Sequence, residues 1–296
     1  MSSSFSLETV TSRIVKFTIL LILQIPSICC SLFLLYRWIT KSFLRRSLHN
    51  QTVFVLVIVS LFQTISDLPM TLEYLRKGQA SSSTFCLLWN FFGLSNYAMS
   101  IWIMTWTCFE RHLAIFHDDI FLTFYGKICF HYIPLVLTVI MPWLYYFILI
   151  FFYPCKNHFS EITLFCGWCC YAYNDRLIIF NWLTFGVIPT CLIIFLNGLL
   201  ICRVIIQSRR VRQQMNWYRH RRIIIQLFGF SSLYLLFDTP TVAVGLIQFI
   251  HPRFAADFQI LYLFYLVYML PLLVPLICAS TFGERWRKPR KQQFYL

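Results

Sequence analysis

The fold of this 296-residue chain is decided by apolar stretches such as residues 52–75, TVFVLVIVSLFQTISDLPMTLEYL. A helix needs about 20 apolar residues to cross a hydrocarbon core of roughly 30 Å. The run Val53–Phe62 does not alternate between apolar and polar residues, as a strand of a membrane barrel would. Because lipid offers no hydrogen-bond partner to an exposed N–H or C=O group, this stretch is predicted to span a bilayer as a helix.

Composition extends this prediction to the whole chain. Only 12% of the residues are charged and 59% are hydrophobic, whereas a soluble domain carries about 25% charged residues. We predict an all-α fold with a short extracellular N-terminus (1–13), a seven-transmembrane helix bundle (14–281), and a membrane-surface helix with a cytoplasmic tail (282–296). The seven apolar runs are approximately Phe17–Tyr36, Thr52–Leu75, Phe85–Arg111, Ile128–Phe152, Leu177–Ile206, Ile223–Ile250 and Phe258–Thr281.

The distribution of basic residues predicts the orientation of this bundle. Short cytoplasmic loops retain Lys and Arg. With the N-terminus outside the cell, 18 of the 25 basic residues fall on the cytoplasmic side. Basic surfaces beside anionic lipid headgroups then account for the net charge of +14, so the lipid bilayer is an expected partner and nucleic acid is not.

The cysteines agree with this orientation. Five of the twelve fall in predicted outer segments, where an oxidising environment preserves disulfides. A zinc site at the cluster Cys166–Cys170 is not favoured, because no second Cys-x-x-C follows it. Neither a metal site nor a cofactor is therefore predicted. The five outer cysteines are Cys86, Cys155, Cys166, Cys169 and Cys170.

The third apolar run carries a recognisable pattern. It begins at Cys86 and ends with Glu110-Arg111-His112. Cys86 and Arg111 are 25 residues apart, which corresponds to about 37 Å of helical rise. This arrangement resembles the third helix of rhodopsin-like G-protein-coupled receptors, although His112 stands where that family usually has Tyr. The resemblance implies a disulfide from Cys86 to the second outer loop, with Cys166 preferred and Cys170 or Cys169 as alternatives. It also implies that Arg111 pairs with Glu110 at rest and contacts a G protein on activation.

Prolines and departures from the family pattern refine the resemblance. Pro189, Pro240 and Pro275 match the prolines with which the family kinks its fifth, sixth and seventh helices. The stretch 282–288 resembles the short amphipathic eighth helix of these receptors. Asp238, two residues before Pro240, replaces the usual Trp of the sixth helix. The departures at His112 and Asp238 favour a divergent receptor of the chemosensory or orphan peptide type.

The intramembrane acids suggest a ligand pocket. An unpaired charge at bilayer depth costs about 2.5–3.5 kcal/mol on insertion scales, so such residues often face a cavity. We predict a pocket between the second, third, sixth and seventh helices that includes Asp67, Gly93, Asp238 and Tyr268 and prefers a cationic or peptide-like ligand. The sequence is equally compatible with a structural role, in which these carboxyl groups hydrogen-bond to neighbouring helices. Gly93 stands where amine receptors carry their Asp, so a standard monoamine site is not expected.

The function implied by the resemblance is that of a plasma-membrane receptor and not an enzyme. Its partners would be an extracellular ligand and a cytoplasmic heterotrimeric G protein. The alternatives are a seven-helix transporter, a channel or an intramembrane enzyme, with a structural adaptor as a third class. No inverted repeat typical of transporters is found in the sequence. The seven histidines lie at or near predicted helix ends rather than at a convergent catalytic set.

Overall fold

A computed structural model of the chain describes residues 9–46, 48–116, 118–210, 228–251 and 254–287. Within these ranges the regular structure is helical throughout and contains no strand, which confirms the predicted all-α class for this part of the chain. The long helices, in chain order, are α1 Val10–Thr40, α2 Leu48–Lys77, α3 Ser83–Phe116, α4 Phe124–Phe152, α5 Asp175–Arg203, α6 Phe228–Ile250 and α7 Ala256–Ser280.

Six of these helices are long and apolar enough to cross a membrane, and α3 is not among them. A multi-pass helical membrane protein is therefore confirmed at this coarser level, while the count of seven spans stays a prediction. At 34 residues α3 is long enough, but it carries many buried polar side chains, including Asn90, Asn96 and Arg111. It packs against α2, α4 and α5, so its polar groups face protein rather than lipid.

Each predicted proline kink has a different local outcome. The helix α6 is interrupted at Asp238, directly before the turn that contains Pro240. In α5, a wide π-helical turn over Leu183–Val187 precedes Pro189. Because proline has no N–H group, it leaves a carbonyl of the preceding turn without its helical partner, and both irregularities relieve that loss.

The seventh helix differs from the prediction. Its interruption lies at Tyr268, three residues before Pro271, whereas the helix from Met269 to Arg287 continues through Pro275 without a break. The backbone is thus helical past residue 281 with no separate start at Phe282. The side chains from residue 281 onward lie outside the described part, as do residues 288–296, so an amphipathic surface helix stays a prediction. Most of residues 207–222, a basic segment between the fifth and sixth apolar runs, also lies outside it.

Close packing between α5 and α6 depends on a glycine, and this contact can be tested. A Cβ atom at Gly245 would lie 2.5 Å from Cζ3 of Trp182 in α5. Gly245→Ala should therefore lower the free energy of unfolding by about 1–3 kcal/mol, the usual cost of overpacking. Gly198→Ala is the control, because no neighbouring side chain of the described residues lies within 4 Å of its added Cβ. Thermal unfolding in one detergent measures both, and equal midpoints for the two variants would contradict this packing.

Candidate functional site

A cavity of about 320 Å³ lies between α2, α3, α4, α5, α6, α7 and the α4–α5 loop, residues 153–174. We call the end of the bundle beside this loop the Cys86 end, and the opposite end of α3 the Glu110 end. Ten of the 21 residues that line the cavity are aromatic, so aromatic rings form much of its wall. Three predicted pocket residues, Asp67, Gly93 and Tyr268, are among the lining residues. Asp238 is not, and the cavity also reaches α4 and α5, which the sequence did not indicate.

The α4–α5 loop is fastened over the cavity by a disulfide. Cys86 at the start of α3 is joined to Cys166, with their Cα atoms 5.7 Å apart, and this is the pairing that the resemblance implies. Beside the bond, Nδ2 of Asn90 donates to the backbone oxygen of Phe165 at 2.7 Å. Phe165 and Cys166 both have positive φ angles, 51° and 58°, which turn the chain sharply. The loop therefore presents Phe165 and Trp168, whose rings stack at 5.7 Å, to the cavity.

A second disulfide closes the loop on itself. Cys155 at its start is joined to Cys170 near its end, with Cα atoms 6.1 Å apart. Cys169 remains a buried free thiol. Burial raises the pKa of Cys169 to about 12, so the thiol stays protonated at neutral pH and is a poor nucleophile. Two disulfides thus hold the loop, and Cys169 is a buried structural residue.

Asp67 ends a chain of hydrogen bonds on the cavity wall. Nε1 of Trp89 in α3 donates to Oγ1 of Thr71 at 3.1 Å, and Thr71 donates to the hydroxyl of Tyr268 at 2.7 Å. The Tyr268 hydroxyl then donates to Oδ1 of Asp67 at 3.2 Å. Gly93 adjoins this group, because a Cβ there would lie 3.4 Å from Oδ1 of Asp67. These contacts join α2, α3 and α7 around one carboxyl group.

Asp238 is bonded to two other helices at the interruption of α6. The hydroxyl of Tyr97 in α3 donates to Oδ1 at 2.7 Å, and the hydroxyl of Thr190 in α5 donates to Oδ2 at 2.9 Å. The Asp238 side chain is buried, whereas Tyr97 also lines the cavity. Of the two sequence-based possibilities, the structure places Asp238 in the hydrogen-bonded arrangement between helices. Its connection to the cavity runs through Tyr97.

At the Glu110 end, Glu110 is buried among residues of α2 and α4. Its Oε2 accepts a hydrogen bond from Thr52 at 2.5 Å, and its Oε1 lies 3.0 Å from Nδ1 of His131. The ion pair with Arg111 that the resemblance implies is absent among the described residues, since these two residues are the partners of the carboxyl group. Because consecutive helical residues point in different directions, Glu110 faces α2 and α4 while Arg111, also buried, does not share that direction.

The charge of Glu110 is compensated locally. Nε2 of His131 lies 2.9 Å from Oε1 of Gln51, whose Nε2 donates to the backbone oxygen of Arg45 at 2.7 Å. This bond orients the amide, so the ring must donate at Nε2. One further proton then lies between Nδ1 and the Glu110 carboxyl group, whichever of the two atoms holds it. The Glu110–His131 pair is therefore neutral as a whole and does not need Arg111.

Two more contacts connect α3 with its neighbours near this end. Nε2 of His112 lies 2.6 Å from the backbone oxygen of Leu196 in α5. Asn197 of α5 donates to Sγ of Cys108 at 3.5 Å and accepts from the hydroxyl of Ser231 in α6 at 3.0 Å. A layer of small polar groups thus joins α3, α5 and α6 on the Glu110 side of the cavity.

Sequence reasoning missed Tyr97, Thr190 and His131 as site residues. Each is a polar group within a long apolar helix, where lipid cannot satisfy its hydrogen-bonding capacity. That signal marks many residues in this chain and does not pair them. His131 was noted as a histidine near a helix end, but its partner Glu110 is 21 residues away in sequence.

The chain matches no model of a known protein family, and no curated protein sequence is significantly similar to it. The geometry of the cavity and of the Glu110 end therefore carries the functional case.

A double-mutant cycle tests the Glu110–His131 pair. His131→Leu leaves a buried carboxyl group without its partner, which should lower the free energy of unfolding by about 3–5 kcal/mol. Glu110→Gln should also destabilise, and the double variant should lose at least about 1 kcal/mol less than the sum of the two single losses. Unfolding in mixed micelles gives the three values. Losses that add within about 0.5 kcal/mol would show that the two side chains are energetically independent.

Proposed function

We propose that the chain is a divergent rhodopsin-like receptor that spans the plasma membrane seven times with its N-terminus outside. In this proposal α3 also crosses the membrane, which brings the number of spans to seven, and the Cys86 end faces the exterior. An extracellular ligand occupies the cavity, and a heterotrimeric G protein binds at the Glu110 end. The observation that carries the proposal is the hydrogen bond between Tyr97, which lines the cavity, and Asp238 at the interruption of α6.

The proposed signal begins at that bond. A ligand that displaces the Tyr97 ring would separate its hydroxyl from Asp238. A hydrogen bond contributes about 0.5–1.5 kcal/mol, enough to shift a two-state equilibrium about two- to tenfold. Among the described residues, Asp238 then keeps its bond to Thr190 of α5. The interruption before Pro240 is the natural pivot, since the helical ladder is already broken there.

Movement of α6 would change its contacts with α3 toward the Glu110 end. Tyr234 of α6 hydrogen-bonds to Ser100 of α3, and Ser231 lies one helical turn nearer that end. Rotation of α6 about its interruption would part these contacts and open a crevice beside α3. Arg111 of α3 would border this crevice, and it is the residue that we propose to contact the G protein. The Glu110–His131 pair would keep this end of α3 attached to α4 in both states.

Ligand-independent nucleotide exchange tests this function. Tyr97→Phe removes one hydroxyl and should raise the basal exchange rate about two- to tenfold, because the loss of about 0.5–1.5 kcal/mol favours the rotated state. Tyr145→Phe is the matched control: its hydroxyl has no hydrogen-bond partner among the described residues, so exchange should not change. Purified protein and a panel covering the four classes of Gα subunit provide the measurement.

Arg111→Ala supplies the decisive comparison in the same assay. Added to Tyr97→Phe, it should return exchange to the level without receptor, while surface expression is retained. Arg37→Ala, at the corresponding end of α1, should leave exchange in the Tyr97→Phe protein intact. Exchange that persists without Arg111 would reject the receptor proposal. The absence of exchange with every Gα class and every variant would also reject it.

A further inference from the structure

The cavity has an electrostatic feature that the proposed function does not specify. Of the described residues that line it, Asp67 is the only one with a formal charge. None of the hydrogen bonds or ion pairs that Asp67 makes within the described residues comes from Lys or Arg. The ammonium group of Lys16 in α1 is directed at rings of α7, with its Nζ 4.3 Å from the ring centre of Tyr265 and 4.9 Å from that of Tyr262. The cavity therefore contains a carboxyl group with no cation supplied by its walls.

The direction of the hydrogen-bond chain favours a negative charge on Asp67. An indole N–H can only donate, so Thr71 accepts from Trp89, and the Thr71 hydroxyl in turn donates to Tyr268. Tyr268 in turn donates to Asp67. Every O–H and N–H bond of the chain therefore points toward the carboxyl group. Such a chain polarises in one direction and stabilises an anion at its end.

Gly93 shows that this carboxyl group and an aromatic ring are close together. A Cβ there would lie 3.4 Å from Oδ1 of Asp67 and 3.2 Å from Cε1 of Phe165, so the two groups are near neighbours, and both line the cavity. An ammonium group in the cavity that contacts the carboxyl group would also meet the ring. The attraction of a cation to a ring adds about 0.5–2 kcal/mol to the ion pair. A volume of about 320 Å³ lies at the lower end of the range for small-molecule sites, which favours a small ligand over a peptide.

We infer that the cavity binds a small organic cation whose ammonium group pairs with Asp67 beside Phe165 and whose apolar part packs against the aromatic walls. The inference names the ligand class of the proposed receptor and rests on that proposal for its biological meaning. The binding chemistry itself depends only on the cavity. It can therefore be tested without a G protein.

Charged thiol reagents measure this preference directly. Val267→Cys places a thiol on the cavity wall next to Tyr268. Intact cells are treated with a methanethiosulfonate that carries either a trimethylammonium or a sulfonate group. In each reaction the thiolate attacks the reagent sulfur, a mixed disulfide forms and methanesulfinate leaves. Mass spectrometry of the peptide containing residue 267 gives the two rates, so native cysteines do not interfere.

Ile162→Cys is the matched control, because residue 162 is exposed in the same loop at 61% and does not line the cavity. We expect the cation-to-anion rate ratio at residue 267 to exceed that at residue 162 at least tenfold. Asp67→Asn in the Val267→Cys protein should remove most of this excess. A ratio at residue 267 equal to that at residue 162 would overturn the inference, even if Asp67→Asn failed to reach the membrane. A cation preference without nucleotide exchange would retain the binding site and reject the receptor function.

Discussion

The hydrocarbon core of a membrane offers no hydrogen-bond partner, and the polar side chains of this bundle are arranged around that constraint. A buried carboxyl group must find donors on other helices or pay a penalty of several kcal/mol. Asp238 finds them on Tyr97 and Thr190, and Glu110 finds Thr52 and His131. Each acid thereby joins three helices. The same bonds that satisfy the polar groups also fix how the helices lie against one another.

The helix α3 collects most of these bonds. It is the least apolar of the long helices, and it packs against α2, α4 and α5. Its Cys86 end is fastened to the loop over the cavity, and its opposite end is fastened to α4 through Glu110. With both ends held, α3 is the fixed element of the proposed receptor. The interrupted helix α6, bonded to it through Tyr97, Ser100 and Cys108, is the element free to change.

Sequence alone predicted the all-helical class, because long apolar runs have one way to cross lipid. It also placed Asp67, Gly93 and Tyr268 near one site, which the cavity contains. It could not pair Asp238 with Tyr97, 141 residues away, because such pairs depend on helix rotation and not on spacing. The expected Glu110–Arg111 pair was wrong for the same reason. Residues adjacent in sequence point to different sides of a helix, and His131 occupies the position that faces Glu110.

In the proposed receptor, α6 separates from α3 when a G protein is activated. Sγ of Cys108 in α3 lies 3.7 Å from the hydroxyl oxygen of Ser231 in α6, so Ser231→Cys allows a disulfide that joins the two helices. The measurement is nucleotide exchange by the Tyr97→Phe, Ser231→Cys protein before and after copper–phenanthroline oxidation, with Ser231→Ala as the oxidised control. We predict that the cross-linked protein loses exchange while the control keeps it. Unchanged exchange in protein shown by mass spectrometry to be fully cross-linked would contradict it.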